Sequence, residues 1–189
     1  INYFTCRKFF GVPDGGYLYT DCILYEILQK DESYDRLTFL AGRLERSANE
    51  FYPAYRENEQ RIDKLPLKRM SMVTKNLLRG IDYEQIKKER ERNFGYLHEH
   101  LRTINRLELC LPDGPYMYPL LVKDGAKLRM SLREKNIYIP TLWPNVIESL
   151  TPEEIEYGLA EDILPLPCDQ RYDLKDMQYL AKEVYRCLS

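Results

Sequence analysis

The chain has 189 residues, and its 28 lysines and arginines against 30 aspartates and glutamates leave a formal net charge of −2. A chain of this length can form one substantial core or one and a half smaller ones, burying on the order of 70% of its unfolded surface. No basic patch with interleaved aromatics announces nucleic acid, and no apolar run approaches the roughly 20 residues of a membrane span, so no nucleic-acid or membrane partner is expected.

Residues 1–4 are apolar and aromatic and predict a buried strand that delivers Lys8 into a loop. Gly11-Val12-Pro13-Asp14-Gly15-Gly16 has the residue types of a tight turn that accepts φ > 0, and residues 17–19 predict the returning strand. A β-hairpin therefore holds Lys8. A lysine that forms a Schiff base has to present a neutral amine, which partial burial and neighbouring positive charge favour. Arg7 is adjacent, but consecutive side chains of an extended chain point to opposite faces, so it need not touch Lys8. Read without further context, most lysines followed by a Pro-Asp-Gly turn, a common hairpin ingredient, are merely solvated.

Ser33 or Asp35 is placed to cap a long helix whose apolar positions Leu37, Leu40, Ala41, Leu44, Ala48, Phe51, Tyr52 and Tyr55 recur at three- and four-residue steps. Pro53 lies inside this pattern and has to kink or divide it. Leu65-Pro66-Leu67 breaks the chain, and a second amphipathic helix is predicted over 82–107, with Ile86, Phe94, Leu97 and Leu101 as its apolar stripe. Glu84, Glu89 and Glu91 are mixed into its lysines and arginines, which argues for a solvated face over a nucleic-acid surface. In the final third, strands are predicted at 116–122, 137–139 and 163–166, and helices at 126–134 and 174–188. Short strands alternating with helices give a compact α/β layer.

The five cysteines at positions 6, 22, 110, 168 and 187 are odd in number and scattered. No C-x-x-C pair occurs and neither His98 nor His100 stands in ligand spacing to a cysteine, so no metal site is expected and reduced thiols in a cytoplasmic protein are. The first residue is Ile, which fits a fragment and an unobserved N-terminus alike.

The order of these parts carries a resemblance. Lys8 followed by Asp14-Gly15-Gly16, a helical linker ending in an Arg/Asn-rich turn (Arg90-Glu91-Arg92-Asn93-Phe94), a strand, Leu128-Arg129…Leu132…Asn136-Ile137-Tyr138-Ile139-Pro140, and Ile163-Leu164-Pro165-Leu166-Pro167 before a last helix together resemble the C-terminal half of the DegT/DnrJ/EryC1/StrS aminotransferases, a branch of the fold type I pyridoxal-phosphate enzymes. The resemblance implies an α/β (α+β) chain: a remnant of the cofactor-binding large domain over 1–70, a helical linker over 71–107, and a small C-terminal domain over 108–189 with a short, mostly antiparallel sheet covered by helices. It implies that Lys8 is the Schiff-base lysine that holds pyridoxal phosphate and shuttles the proton of the substrate Cα, with Thr5, Gly15 and Gly16 beside the cofactor and Asp14 a turn residue. It also implies a homodimer, a small-molecule amino donor and a carbonyl acceptor such as a sugar.

Two positions depart from the family pattern. Tyr3 stands five residues before the lysine, where a phosphate-binding serine is usual, leaving Thr5 as the nearby hydroxyl. Arg69-Met70-Ser71 matches the start of the linker helix, but Leu67 replaces the asparagine expected two residues before it. The family's pyridine-nitrogen carboxylate and ring-stacking aromatic precede the lysine, so the chain by itself is expected to be catalytically incomplete and to hold the cofactor poorly. The alternative expectation is a non-catalytic interaction or scaffold module with the same small-domain fold.

Overall fold

The computed structural model describes residues 1–188, which divide into two compact units, the first Ile1–Ile81 and the second beginning at Asp82. Helix and strand are mixed and both sheets are small and antiparallel, an α+β arrangement. Among the described residues no helix is long and apolar enough to cross a membrane, and no cluster of acidic, histidine and cysteine side chains could hold a metal ion.

In the first unit, β1 (Asn2–Thr5) pairs with β2 (Gly16–Tyr19) in the register Asn2↔Tyr19 to Thr5↔Gly16. The hairpin is as the turn residues predict, but the strand expected at 1–4 is neither at those bounds nor buried. Ile1 is exposed, as are Tyr3, Phe4, Tyr17, Leu18 and Tyr19. The reason is that a two-stranded ribbon buries side chains only if another layer covers it, and the apolar core of this unit lies past the strands, in Cys6, Val12 and Leu78 with Phe10, Met70 and Ile81 packed on them.

The long helix expected around residues 37–55 is two helices, α1 (Thr38–Glu45) and α2 (Tyr52–Asp63). Arg46 leaves helical geometry at φ −125°, ψ −96°, and Pro53 sits in the first turn of α2, where its missing N–H breaks no helical bond. α3 (Met72–Arg79) follows, with the Ser71 hydroxyl accepting the Thr74 N–H at 3.1 Å as its cap. An extended crossing joins this region to residues 29–31: Arg69 N–H donates to Gln29 O at 2.8 Å and Asp31 N–H to Arg69 O at 2.9 Å.

The second unit starts with α4 (Tyr83–Leu101), capped by the Asp82 carboxylate, which accepts the Gln85 N–H at 3.0 Å. The helix stops six residues short of the expected end at 107. Asn105 explains this: its Oδ1 accepts from Leu107 N–H and Leu121 N–H, and its Nδ2 donates to Pro119 O at 2.8 Å, so 105–107 run along the next strand instead of coiling. That strand, β3 (Tyr118–Leu121), pairs with β4 (Ile163–Leu166) from Tyr118↔Leu166 to Leu121↔Ile163. Residues 137–139, expected as a strand, form none. Asn136 takes the left-handed conformation (φ 61°) and Ile137 N–H closes back on Leu132 O, which ends α5 (Gly125–Glu134), and Ile139 enters the core as irregular chain.

Two short helices that the sequence pattern did not announce, α6 (Pro144–Ser149) and α7 (Ile155–Asp162), precede β4, and α8 (Leu174–Leu188) closes the unit over the span predicted for it. Leu97, Leu101, Tyr118, Leu120, Leu132, Leu164, Leu166 and Val184 are all fully buried. Each buried leucine contributes about 1.5–3 kcal/mol relative to an exposed one, so this is the stronger of the two cores.

Candidate functional site

The loop between β1 and β2 begins with a single 3-10 turn, Cys6–Lys8. Its three side chains diverge. Cys6 is buried, Arg7 pairs with Glu59 of α2, and Lys8 is exposed. Arg7 and Lys8 diverge, though on a 3-10 turn and not on the extended strand expected, and the partial burial expected of a Schiff-base lysine is not present, because the turn projects Lys8 outward while Cys6 takes the inward position. The loop is closed by its own backbone: Cys6 N–H donates to Gly15 O at 3.1 Å, Phe10 N–H to Cys6 O at 2.9 Å and Val12 N–H to Phe10 O at 2.9 Å.

Gly15 has φ +101°, a conformation that L side chains rarely adopt, and a Cβ there would lie 3.0 Å from both Met70 Cε and Thr74 Cγ2. Gly16 carries the close approach of the ribbon: a Cβ would meet the Tyr3 ring at 2.8 Å and Phe4 O at 3.0 Å. Thr5 is half-buried and pairs across the ribbon with Gly16. The structure therefore places Lys8, Thr5, Gly15 and Gly16 on one hairpin, with Lys8 at its open side and the glycines at its base.

Beneath the loop lies a buried polar network that sequence patterns did not reveal. Asp14 is 7% exposed; its Oδ1 accepts the Ser71 N–H at 3.2 Å and its Oδ2 lies 3.7 Å from Arg36 Nη2. Arg36, 4% exposed, donates from the same Nη2 to Asp31 Oδ2 at 2.5 Å and to Glu32 O at 2.9 Å. Lys68 Nζ reaches the other oxygen of Asp31 at 3.3 Å, and the Ser33 and Ser71 hydroxyls share a hydrogen bond at 2.7 Å. Two cations and two carboxylates thus balance within the network.

Burial alone would raise the Asp31 carboxyl, but the Arg36 hydrogen bond and charge, with the Lys68 contact, outweigh it and hold the group below its ordinary range. Burial, and then the nearby Asp14 charge, push the Cys6 thiol up. Asp14 and Ser71 are visible in the sequence as a turn residue and as part of Arg69-Met70-Ser71. Arg36 has no motif around it, and only its contacts distinguish it from the surface arginines of α1 and α2.

In the second unit, the Arg90–Phe94 segment expected as a turn lies inside α4. Its polar members hold loops together. Buried Arg90 donates to Pro115 O at 2.9 Å and to Gln170 Oε1 at 2.8 Å, and buried Asn93 donates to Asp169 O and Tyr172 O. These bonds tie α4 to the chain around 115 and 169–172, so the segment clasps those loops.

What the loop of the first unit offers chemically is a primary amine on a short, hydrogen-bonded turn, open to a carbonyl from solution. No family model, no curated protein and no solved structure matches the chain.

Proposed function

We propose that the chain carries the lysine-bearing hairpin, linker and small domain of a pyridoxal-phosphate-dependent aminotransferase-like protein of the DegT/DnrJ/EryC1/StrS type, a fold type I protein that transfers an amino group to a sugar or similar small carbonyl compound. The observation that carries this reading is the placement of Lys8 on an open turn whose base requires the left-handed Gly15 and the close-packed Gly16. Bound pyridoxal phosphate supplies an aldehyde and an electron sink for the bonds at the substrate Cα.

Lys8 is exposed and Arg7 is drawn away to Glu59, so neither the burial nor the positive neighbour that favours a neutral amine supports it, and the attachment role rests on the turn alone. The turn fixes the backbone of Lys8 through the Cys6–Gly15 bond, so the amine starts from a defined place. Thr5 offers a hydroxyl three residues away. Tyr3 and Leu67 occupy the positions where phosphate contacts are expected, and both are exposed. In this reading the phosphate and pyridine-nitrogen partners come from other sequence or from a second subunit, and the 189-residue chain holds the cofactor weakly.

A second reading, a non-catalytic interaction module, has its own observation in the exposed aromatic ribbon of Tyr3, Phe4, Tyr17 and Tyr19, which suits a contact surface as well as a covered sheet. The two separate under one experiment. The chain is incubated with pyridoxal phosphate, reduced with borohydride and mapped by peptide mass spectrometry. With pyridoxal phosphate in excess, so that a weak site fills, the aminotransferase reading expects Lys8 to be labelled above exposed lysines such as Lys182. Labelling of Lys8 at the level of Lys182 leaves the interaction reading.

A further inference from the structure

We infer that Arg36 is a positioning residue for Lys8: through Asp14 it holds the lysine-bearing loop in place, although it lies 28 positions further along the chain. The functional meaning of that placement rests on the aminotransferase reading above, but the mechanical link does not.

The link runs through three named contacts. Arg36 is anchored at Nη2 by Asp31 and the Glu32 carbonyl, which restrains its guanidinium against following a moving partner. Its Nη2 faces Asp14 Oδ2 at 3.7 Å, too long for a hydrogen bond but within ion-pair range, and both side chains are nine-tenths buried. The other oxygen of Asp14 is committed to the Ser71 N–H at the start of α3. Asp14 precedes Gly15, whose carbonyl accepts the Cys6 N–H at the head of the turn that bears Lys8. Removing Arg36 leaves Asp14 buried beside Asp31 with no cation of its own, since Lys68 is held by Asp31. An uncompensated buried carboxylate favours states in which it reaches water, and the way to water for Asp14 is to lift the loop.

That mechanism makes the effect local. The test is amide hydrogen exchange on the whole chain carrying Arg36→Met, Arg36→Lys, Asp14→Asn, or Arg36→Met with Asp14→Asn, with Arg61→Met as the control that breaks the exposed Arg61–Asp35 pair. Arg36→Met is expected to speed exchange in the peptide covering residues 6–15 at least tenfold, while α1 and the whole second unit change less than twofold. The double variant, which removes the stranded charge, is expected to exchange more slowly there than Arg36→Met alone, and Arg36→Lys to recover part of the protection. Arg61→Met is expected to leave the peptide unchanged.

Uniformly faster exchange across residues 1–81 in Arg36→Met would show a general stabilising role and overturn the inference, as would unchanged exchange at 6–15. Borohydride trapping of pyridoxal phosphate on the same proteins separates the two claims. If the wild type labels Lys8 selectively, Arg36→Met is expected to lower the Lys8 to Lys182 ratio threefold or more, and an unmoved ratio overturns the positioning role. If the wild type shows no selectivity, the aminotransferase reading falls, and exchange at 6–15 alone decides whether Arg36 holds the loop.

Discussion

The carboxylate of Asp14 accepts the backbone N–H of Ser71 at 3.2 Å, across 57 positions of sequence. The contact ties the hairpin loop to the cap of α3 and sets what the next residue can be. Gly15 has φ +101°, which L side chains rarely adopt, and a Cβ there would lie 3.0 Å from the Met70 and Thr74 side chains on either side of Ser71, which would have to give by a few tenths of an ångström. Gly15→Ala is therefore expected to destabilise the first unit by about 1–3 kcal/mol. Gly11→Ala, in the same loop with nothing within 4 Å of its would-be Cβ, is expected to stay within about 0.5 kcal/mol of the wild type. Urea unfolding of the two variants checks this, and equal effects would contradict the left-handed turn.

Acid sensitivity of the first unit should pass through Asp31. Its folded-state value lies below the ordinary one, because the contacts to Arg36 and Lys68 outweigh the opposing effect of burial. A carboxyl with a depressed folded value contributes stability above its unfolded value, about pH 3.9, and that contribution disappears as pH falls through the folded value. The urea midpoint of the wild type is expected to drop on acidification below about pH 4. Asp31→Asn should start from a lower midpoint at pH 7 and lose less over the same interval. A parallel loss in both proteins would place the acid sensitivity elsewhere.

Thiol reactivity distinguishes the cysteines by depth. Cys22 and Cys110 are exposed, whereas Cys6 and Cys168 are buried. Burial, with Asp169 adding to it against the opposing charge of Arg90, pushes the Cys168 thiol up to about 12, so its thiolate fraction at neutral pH is negligible. Iodoacetamide at pH 8 is expected to modify Cys22 and Cys110 first, with Cys6 and Cys168 reacting only after denaturation. Early loss of Cys168 would mean that the core of the second unit opens more readily than its packing implies.

Elements with strong local signals were legible in the sequence. The span of α8 follows from its apolar period, β4 from its short apolar run even though Pro165 lies inside it, and the hairpin from Pro13-Asp14-Gly15-Gly16. What was not legible depended on contacts distant in sequence. The end of α4 is decided by the Asn105 side chain bonding to β3, and the loss of a strand at 137–139 by a left-handed Asn136, neither of which alters hydrophobic periodicity. The candidate site divides in the same way. Lys8, Gly15 and Gly16 stand together because they are near in sequence, while Arg36, Ser33 and Asp31 join them only through the fold. The expected burial of strand 1–4 failed because apolar residues state a preference for cover without supplying it.

In the second unit the most constrained glycine opens α5. A Cβ on Gly125 would lie 2.0 Å from the Asp162 carbonyl oxygen, so the start of α5 rests directly on the end of α7. Ala126 N–H donates to Asp162 Oδ1 at 3.3 Å, and Arg129 Nη2 donates to Glu161 O at 2.9 Å and Ile163 O at 2.8 Å, gathering the carbonyls around the point where α7 becomes β4. A methyl group at residue 125 has backbone in front of it, which cannot rotate away as a side chain could. Gly125→Ala is expected to cost about 3 kcal/mol or more, and to raise hydrogen exchange in β4 because the strand begins one residue after the clash. Gly158, inside α7 with nothing within 4 Å of its would-be Cβ, makes the opposite case: Gly158→Ala is expected to stabilise the unit by about 0.5–1 kcal/mol through helix propensity. Thermal or urea unfolding monitored by the single tryptophan, Trp143 in this unit, reads both, and a tolerated Gly125→Ala would refute the contact between α5 and Asp162.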